Sequence, residues 1–167
     1  IRTTEDRHKR ACAELWRRLE AAGHIYLDKY AGWYAVSDEA FYDEAELKEG
    51  PAGTKIAPTG KPVEWVEEES YFFRLSAFED RLLALYESQP DFILPKGRRN
   101  EVISFVKGGL QDLSVSRTTF DWGVQVPGND RHVMYVWLDA LTNYLTATGW
   151  PDAAPRWPAE LHLVGKD

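Results

Sequence analysis

Val133-Met134-Tyr135-Val136-Trp137-Leu138-Asp139-Ala140-Leu141-Thr142-Asn143-Tyr144 is the stretch on which the reading of this chain turns. An extended, β-favouring run passes here into a helical one. If the helix begins near Trp137, then Trp137, Ala140 and Tyr144 share one face at i, i+3 and i+7, and the small Ala140 leaves a gap between two aromatic rings. Such a gap suits a slender apolar side chain. A thioether is unbranched and polarizable and gains roughly 0.3–1.5 kcal/mol against an aromatic ring, so methionine fits the slot. The same spacing also describes an ordinary core helix, and spacing alone favours that plainer reading.

Working outward, the pattern is mixed. Thr3 or Thr4 can cap a first helix whose apolar positions Ala11, Leu15, Leu19 and Ala22 recur every three or four residues up to Gly23. Residues 25–75 hold short β-favouring pieces, Ile25 to Leu27, Trp33 to Val36, Val63 to Val66 and Tyr71 to Phe73. Turn formers such as Pro51-Ala52-Gly53 and Pro58-Thr59-Gly60 separate them. Glu67-Glu68-Glu69 is expected to be a solvated run before a buried strand. Ser76 and Glu79 are spaced as a capping box for a helix with Phe78, Leu82, Leu83 and Tyr86 on its apolar face. Another helix is expected after Asn100, ending at Gly108-Gly109 before a strand over Leu113 to Ser116. A second strand at Leu161-His162-Leu163-Val164 would complete a β-α-β unit with the Val133 strand and the Trp137 helix. No internal repeat or low-complexity tract is present.

Composition sets bounds. The 167 residues, 44% hydrophobic, suffice for one domain core or for parts of two. The net charge of −7 argues against a general nucleic-acid binder, whose affinity comes from neutralising phosphates, so any nucleic-acid contact has to be local. A single Cys rules out an internal disulfide and fits a reducing, cytoplasmic setting. No apolar run approaches the ~20 residues of a membrane span, and no signal peptide is visible.

Several motifs together resemble methionyl-tRNA synthetases of the bacterial type. The Val133–Tyr144 wording is similar to that family's methionine-pocket segment. Gly32-Trp33-Tyr34-Ala35-Val36-Ser37-Asp38-Glu39-Ala40-Phe41-Tyr42, Glu67-Glu68-Glu69-Ser70-Tyr71-Phe72-Phe73-Arg74-Leu75, Arg99-Asn100-Glu101-Val102 and Asp112-Leu113-Ser114-Val115-Ser116-Arg117 follow in the family's order and approximate spacing. The resemblance implies an α/β chain, part of a class I synthetase Rossmann-like nucleotide fold interrupted by a β-rich connective insertion. Residues 1–27 would be helix leaving the first half of that fold, 28–131 the insertion and its following helices, and 132–167 the start of the second half. Similar enzymes carry a His-Ile-Gly-His and a Lys-Met-Ser-Lys-Ser motif, and neither occurs here. The chain is therefore expected to be an internal piece, inactive alone.

The implied activity joins methionine and ATP into methionyl adenylate and then charges tRNA, with Mg²⁺ accompanying the nucleotide. Trp137, Ala140 and Tyr144 would select the methionine side chain. Arg117, at a strand end, would order the polar end of the catalytic site, as a guanidinium can by two parallel bonds. Gly165 and Asp167 of Gly165-Lys166-Asp167 would hold the ATP ribose, the glycine allowing close approach and the carboxylate accepting two hydroxyls. By itself Gly-x-Asp is more often a plain turn. Many relatives bind zinc in the insertion through Cys pairs. Here those positions are Ala35, Asp38, Ala57 and Gly60, so no zinc is expected, and Trp33, Tyr34, Phe41, Tyr42 and Trp65 would form a core in its place. A rival reading is a non-catalytic module in which seven Trp and eight Tyr form a binding or tRNA acceptor-docking surface.

Overall fold

The computed structural model describes residues 1–38, 40–119, 121–152 and 156–165. Its elements are α1 (Asp6–Ala21), β1 (Ile25–Ala35), β2 (Ala40–Tyr42), β3 (Lys48–Glu49), β4 (Lys55–Ile56), β5 (Glu64–Phe73), α2 (Glu79–Ser88), α3 (Lys96–Lys107), β6 (Leu113–Ser114), β7 (Ser116–Arg117), β8 (Gln125–Val126), β9 (Asn129–Met134), α4 (Val136–Leu141) and α5 (Asn143–Ala147). The chain is mixed α/β. It forms two compact units, Leu27–Ser70 and the remainder, Ile1–Tyr26 with Tyr71–Asp167. Of the span 28–131, expected to hold the insertion and its following helices, residues 71–131 fall in the same compact unit as the flanking segments. The reason is pairing: Phe72 and Phe73 of β5 register against Ser114 and Leu113 of β6, and Ser116 and Arg117 of β7 against Met134 and Val133 of β9.

In the larger unit α1 lies over a core of Cys12, Trp16, Ile25, Val115, Val124, Val126 and Met134. The buried stripe of α1 is His8, Ala11, Cys12 and Trp16, not the expected Ala11, Leu15, Leu19 and Ala22. A bulky Trp and a bonded His take the inner face, Leu15 and Leu19 are half-buried beside it, and Ala22 is exposed. Glu5 occupies the cap position without a side-chain bond to the first-turn N–H groups, its carboxylate going instead to Arg2 N–H and Arg7, so neither Thr3 nor Thr4 caps the helix. Gly23 ends it with φ +74°, a left-handed conformation that costs a glycine little. A second core joins α2 and α3 through Tyr86, Val106 and Leu110.

The capping box does not form. Ser76 gives both its N–H and its hydroxyl to Asp112 Oδ1, at 3.0 and 2.6 Å, while Glu79 Oε2 accepts the Leu110 N–H at 3.1 Å. Both halves thus tie α2 to the segment entering β6. The Leu113 to Ser116 run is split at Val115 between β6 and β7. The helix expected after Asn100 starts four residues earlier, at Lys96, and ends as anticipated before Gly108. The expected strand at Leu161–Val164 is absent: these residues have no ladder partner among the described residues, and Leu161 and Leu163 are 72% and 83% exposed. Apolar sequence alone does not make a strand when no neighbour completes its hydrogen bonds. With it goes the β-α-β unit; every strand register found among the described residues is antiparallel.

In the smaller unit β1 and β5 are long strands where the sequence suggested four short ones. The Glu67–Glu69 run lies inside β5, and its inner positions Glu68 and Ser70 are buried. Alternation explains this, because a period of two sends only every second residue inward.

Candidate functional site

The helical part of the opening stretch begins where β9 ends. Tyr135 is still extended and donates its N–H to Val115 O at 2.7 Å, after which α4 runs for six residues and α5 for five. Between them the ladder breaks at Thr142, whose hydroxyl bonds back to Leu138 O. Such back-bonding bends helices. Trp137 and Ala140 therefore sit on α4 and Tyr144 on α5, rather than on one continuous helix.

Trp137 is 53% exposed, while Ala140 and Tyr144 are half-buried, and the Tyr144 ring lies 6.0 Å from that of His162. Beneath the helix pair is an apolar cavity of about 180 Å³ lined by Trp137, Leu138, Leu141, Thr142 and Leu145 with Leu15, Phe73, Leu113 and Val115 below. Of the three, Trp137 alone lines it, while Ala140 and Tyr144 lie off it, half-buried.

Arg117 is 6% exposed on β7. Its Nη1 donates to Ser114 Oγ and to Ser116 O (2.7 Å), and the guanidinium lies 3.8 Å from the centre of the Tyr135 ring. A cation so stacked and bonded is fixed in direction, and Tyr135 sets it two residues from Trp137. The structure brings Arg117 and the α4 entry together. Gly165 is exposed and outside any regular element, and Asp167 lies outside the described residues.

Sequence reasoning passed over His8. Its ring is fully buried, with Nε2 2.8 Å from Asp139 Oδ1 and 3.1 Å from Asp139 O, and Nδ1 3.0 Å from Thr146 Oγ1. Cys12 Sγ is 3.2 Å from Nε2. The only sequence signal was the i, i+4 spacing of His8 and Cys12 on α1, and the basic run Arg7-His8-Lys9-Arg10 disguises it as a solvated face. The donors of His8, Cys12 and Asp139 lie within 4.8 Å of one another, a spacing that a metal ion could bridge. Burial, reinforced by the Asp139 charge, pushes the Cys12 thiol up to about 12, and the three groups lie within hydrogen-bonding reach of one another and of Thr146. His132 is a second buried histidine that the sequence did not flag; its Nδ1 is 3.0 Å from Ser116 Oγ.

In the smaller unit Ala35, Asp38, Ala57 and Gly60, the positions set against zinc ligands in the sequence analysis, lie in two turns closed by Asp38 N–H to Ala35 O and Gly60 N–H to Ala57 O. Ala35 and Ala57 are buried, and Asp38 accepts hydrogen bonds from Tyr42 Oη (2.9 Å) and Thr59 Oγ1. The Thr59 hydroxyl first, and Tyr42 with it, hold the Asp38 carboxyl below its usual range. The aromatics surround this point rather than filling it: Trp33 and Trp65 meet edge to face at 5.3 Å, Tyr34 and Phe41 at 4.7 Å, and Trp65 is half exposed. The expected aromatic core is instead a pair of small buried residues beside a hydrogen-bonded carboxylate.

Comparison with known proteins is consistent across sequence and structure. Residues 1–162 match the family model described as tRNA synthetases class I (M). The chain is 63% identical over 171 residues to a protein from Mesorhizobium japonicum named methionine–tRNA ligase, and 60% identical over 172 residues to one of the same name from Mycobacterium tuberculosis. Both alignments cover the whole chain but 33% of the relative, so the chain spans about a third of the curated relatives it matches. Among solved structures, Mycobacterium tuberculosis methionyl-tRNA synthetase bound by methionyl-adenylate superposes with TM-score 0.83 at 61% identity, over 97% of this chain and 33% of that one. Its ligand-free form gives TM-score 0.81 at 60% identity, over 99% and 34%. The chain belongs to the class I tRNA synthetase (M) family.

Proposed function

We propose that the protein carrying this chain is a methionine–tRNA ligase, activating methionine with ATP to methionyl adenylate and pyrophosphate and then passing the methionyl group to tRNA. The observation that supports this most is 61% identity, over 97% of the chain, to a structure that holds methionyl-adenylate. In this reading Trp137, Ala140 and Tyr144 receive the methionine side chain on the open face of α4 and α5. Arg117, locked against Tyr135, orients the polar end of the substrate. Gly165 and Asp167 hold the ATP ribose.

None of these groups serves as a general base. Catalysis of this kind rests on alignment of the carboxylate with the α-phosphate and on stabilising developing charge. Mg²⁺ would travel with the nucleotide, and no residue of this chain is assigned to it. Discrimination against smaller apolar amino acids by shape is worth only about 1–3 kcal/mol per methylene, so the sulfur–aromatic contact at Trp137 carries part of the selectivity. Asp38, in place of a thiolate, makes the insertion independent of zinc, and the enzyme is expected to work in the cytoplasm.

The test is methionine-dependent ATP–pyrophosphate exchange by the full-length protein, with leucine and isoleucine as controls and a zinc chelator in parallel. Exchange with methionine alone, unaffected by chelation, is expected. Loss of exchange on chelation would refute the zinc-free reading, and no exchange with methionine would refute the ligase reading.

A further inference from the structure

We propose that His8 is a positioning residue for the methionine pocket, its imidazole clasping the two short helices that present Trp137, Ala140 and Tyr144. The inference rests on the reading of those three residues as the pocket and adds what holds them in register.

The need for such a clasp follows from helix length. α4 has six residues and α5 five, whereas isolated helices are marginal below roughly 12–15 residues. Neither has a side-chain cap at its N-terminus. α4 buries no residue fully, and α5 buries only Thr146. The helix is interrupted at Thr142, where the Thr142 hydroxyl reaches back to Leu138 O and the Asn143 amide to Ala140 O, so Trp137–Ala140 and Tyr144 are not carried by one unbroken ladder.

His8 spans that break. Nε2 meets Asp139, which lies between Trp137 and Ala140, at both its carboxylate (2.8 Å) and its carbonyl (3.1 Å), and Nδ1 meets Thr146, two residues beyond Tyr144, at 3.0 Å. Both Asp139 atoms beside Nε2 are acceptors, and Thr146 Oγ1, 3.0 Å from Nδ1, also donates to Thr142 O at 3.0 Å. The anchor itself is firm: α1 buries Ala11, Cys12 and Trp16 along with His8. One rigid ring from a helix seated in the core therefore sets two short elements that lack the burial to set themselves. His8 is not on the open face, so its effect passes through Asp139 and Thr146.

The experiment compares the full-length wild type with His8→Ala, His8→Gln and Thr146→Val. It reads the methionine KM, ATP KM and kcat of pyrophosphate exchange alongside the thermal midpoint. His8→Ala is expected to raise the methionine KM by roughly tenfold or more while the ATP KM stays within about twofold, because misplacing positioning groups by an ångström is costly at the group they position. His8→Gln, whose amide donates toward Asp139 from similar depth, is expected to recover most of that loss. Should His8→Ala fail to fold, Thr146→Val, nearly isosteric, is expected to raise the methionine KM several-fold with little change in midpoint. The inference is overturned if the methionine KM holds within about twofold of wild type in whichever of these variants folds, or if the methionine and ATP constants rise together. It is equally overturned if His8→Gln is no better than His8→Ala. A wild type without methionine-dependent exchange would overturn the ligase reading and this inference with it, whereas an active wild type with an insensitive methionine KM overturns the clasp alone.

Discussion

Trp137→Ala separates ligand recognition from folding, because Trp137 is 53% exposed in this chain. Truncating a fully buried Trp costs about 3–5 kcal/mol, and with half the ring open the cost here should be on the order of 1–2 kcal/mol, too small to unfold a protein of ordinary stability. On the proposed reading of the pocket, methionine, in contrast, loses its main ring contact. A sulfur–aromatic contact contributes roughly 0.3–1.5 kcal/mol. About 50 Å² of apolar contact at ~25 cal/mol per Å² adds roughly another kilocalorie. Together these predict a loss of about 1.5–3 kcal/mol, or roughly 10- to 150-fold in kcat/KM for methionine. The assay is pyrophosphate exchange by the full-length protein, with methionine and ATP titrated separately and Trp137→Phe as the conservative control. The methionine KM should rise, the ATP KM should hold, and Phe should recover part of the loss. An unchanged methionine KM, or equal rises for both substrates, would refute the pocket assignment.

Cys12, buried and with its thiol pushed up to about 12, should resist alkylation at pH 8 in the native protein and react only once denaturant opens the fold, as mapped on the peptide that carries it. Asp38→Ala should loosen the turns at Ala35–Asp38 and Ala57–Gly60, seen as faster amide exchange there, and Asp38→Asn should keep part of the protection. Since the folded carboxyl is held below its usual range, its contribution is present above the ordinary carboxylate range and fades as pH falls through the depressed value; amide protection in wild type should fade with it, and in Asp38→Asn it should not. Trp16→Ala removes a fully buried ring set edge-on to Tyr71 at 5.1 Å and should destabilise by about 3–5 kcal/mol, read from denaturant midpoints.

Local sequence rules succeeded where one element satisfies itself. α1 was legible as a helix ending at Gly23, though its apolar period named the wrong face, and the turns at Pro51–Gly53 and Pro58–Gly60 were legible from their residue types, since Gly53 and Gly60 take φ +76° and +83°. The rules failed where a partner distant in sequence decides. Ser76 and Glu79 carry the letters of a capping box, but Asp112 and Leu110 claim both side chains. β5 looked interrupted because its inward positions are Glu68 and Ser70, polar residues that sequence reading places in solvent. Leu161–Val164 looked like a strand because apolarity was visible and the missing neighbour was not.

The site shows the same division, and there it bears on function. Wording pointed to Trp137, Ala140 and Tyr144 as a candidate pocket and periodicity placed the helix start within a residue of Val136, but Thr142-Asn143 contains no Gly or Pro, so the break between α4 and α5 was hidden until the Thr142 hydroxyl was seen bonding back to Leu138 O. A continuous helix would have needed no clasp, and a lone His in a basic run gives no hint of providing one. Helices too short to stand, a tryptophan half in water and a buried histidine bonded to both helices are each locally unfavourable choices. Conflicts between local preference and fold that gather within a few residues mark places where something other than stability set the sequence. Here they gather on the segment proposed to receive the methionine side chain, which favours a receiving surface for a ligand over an ordinary helical corner of the core.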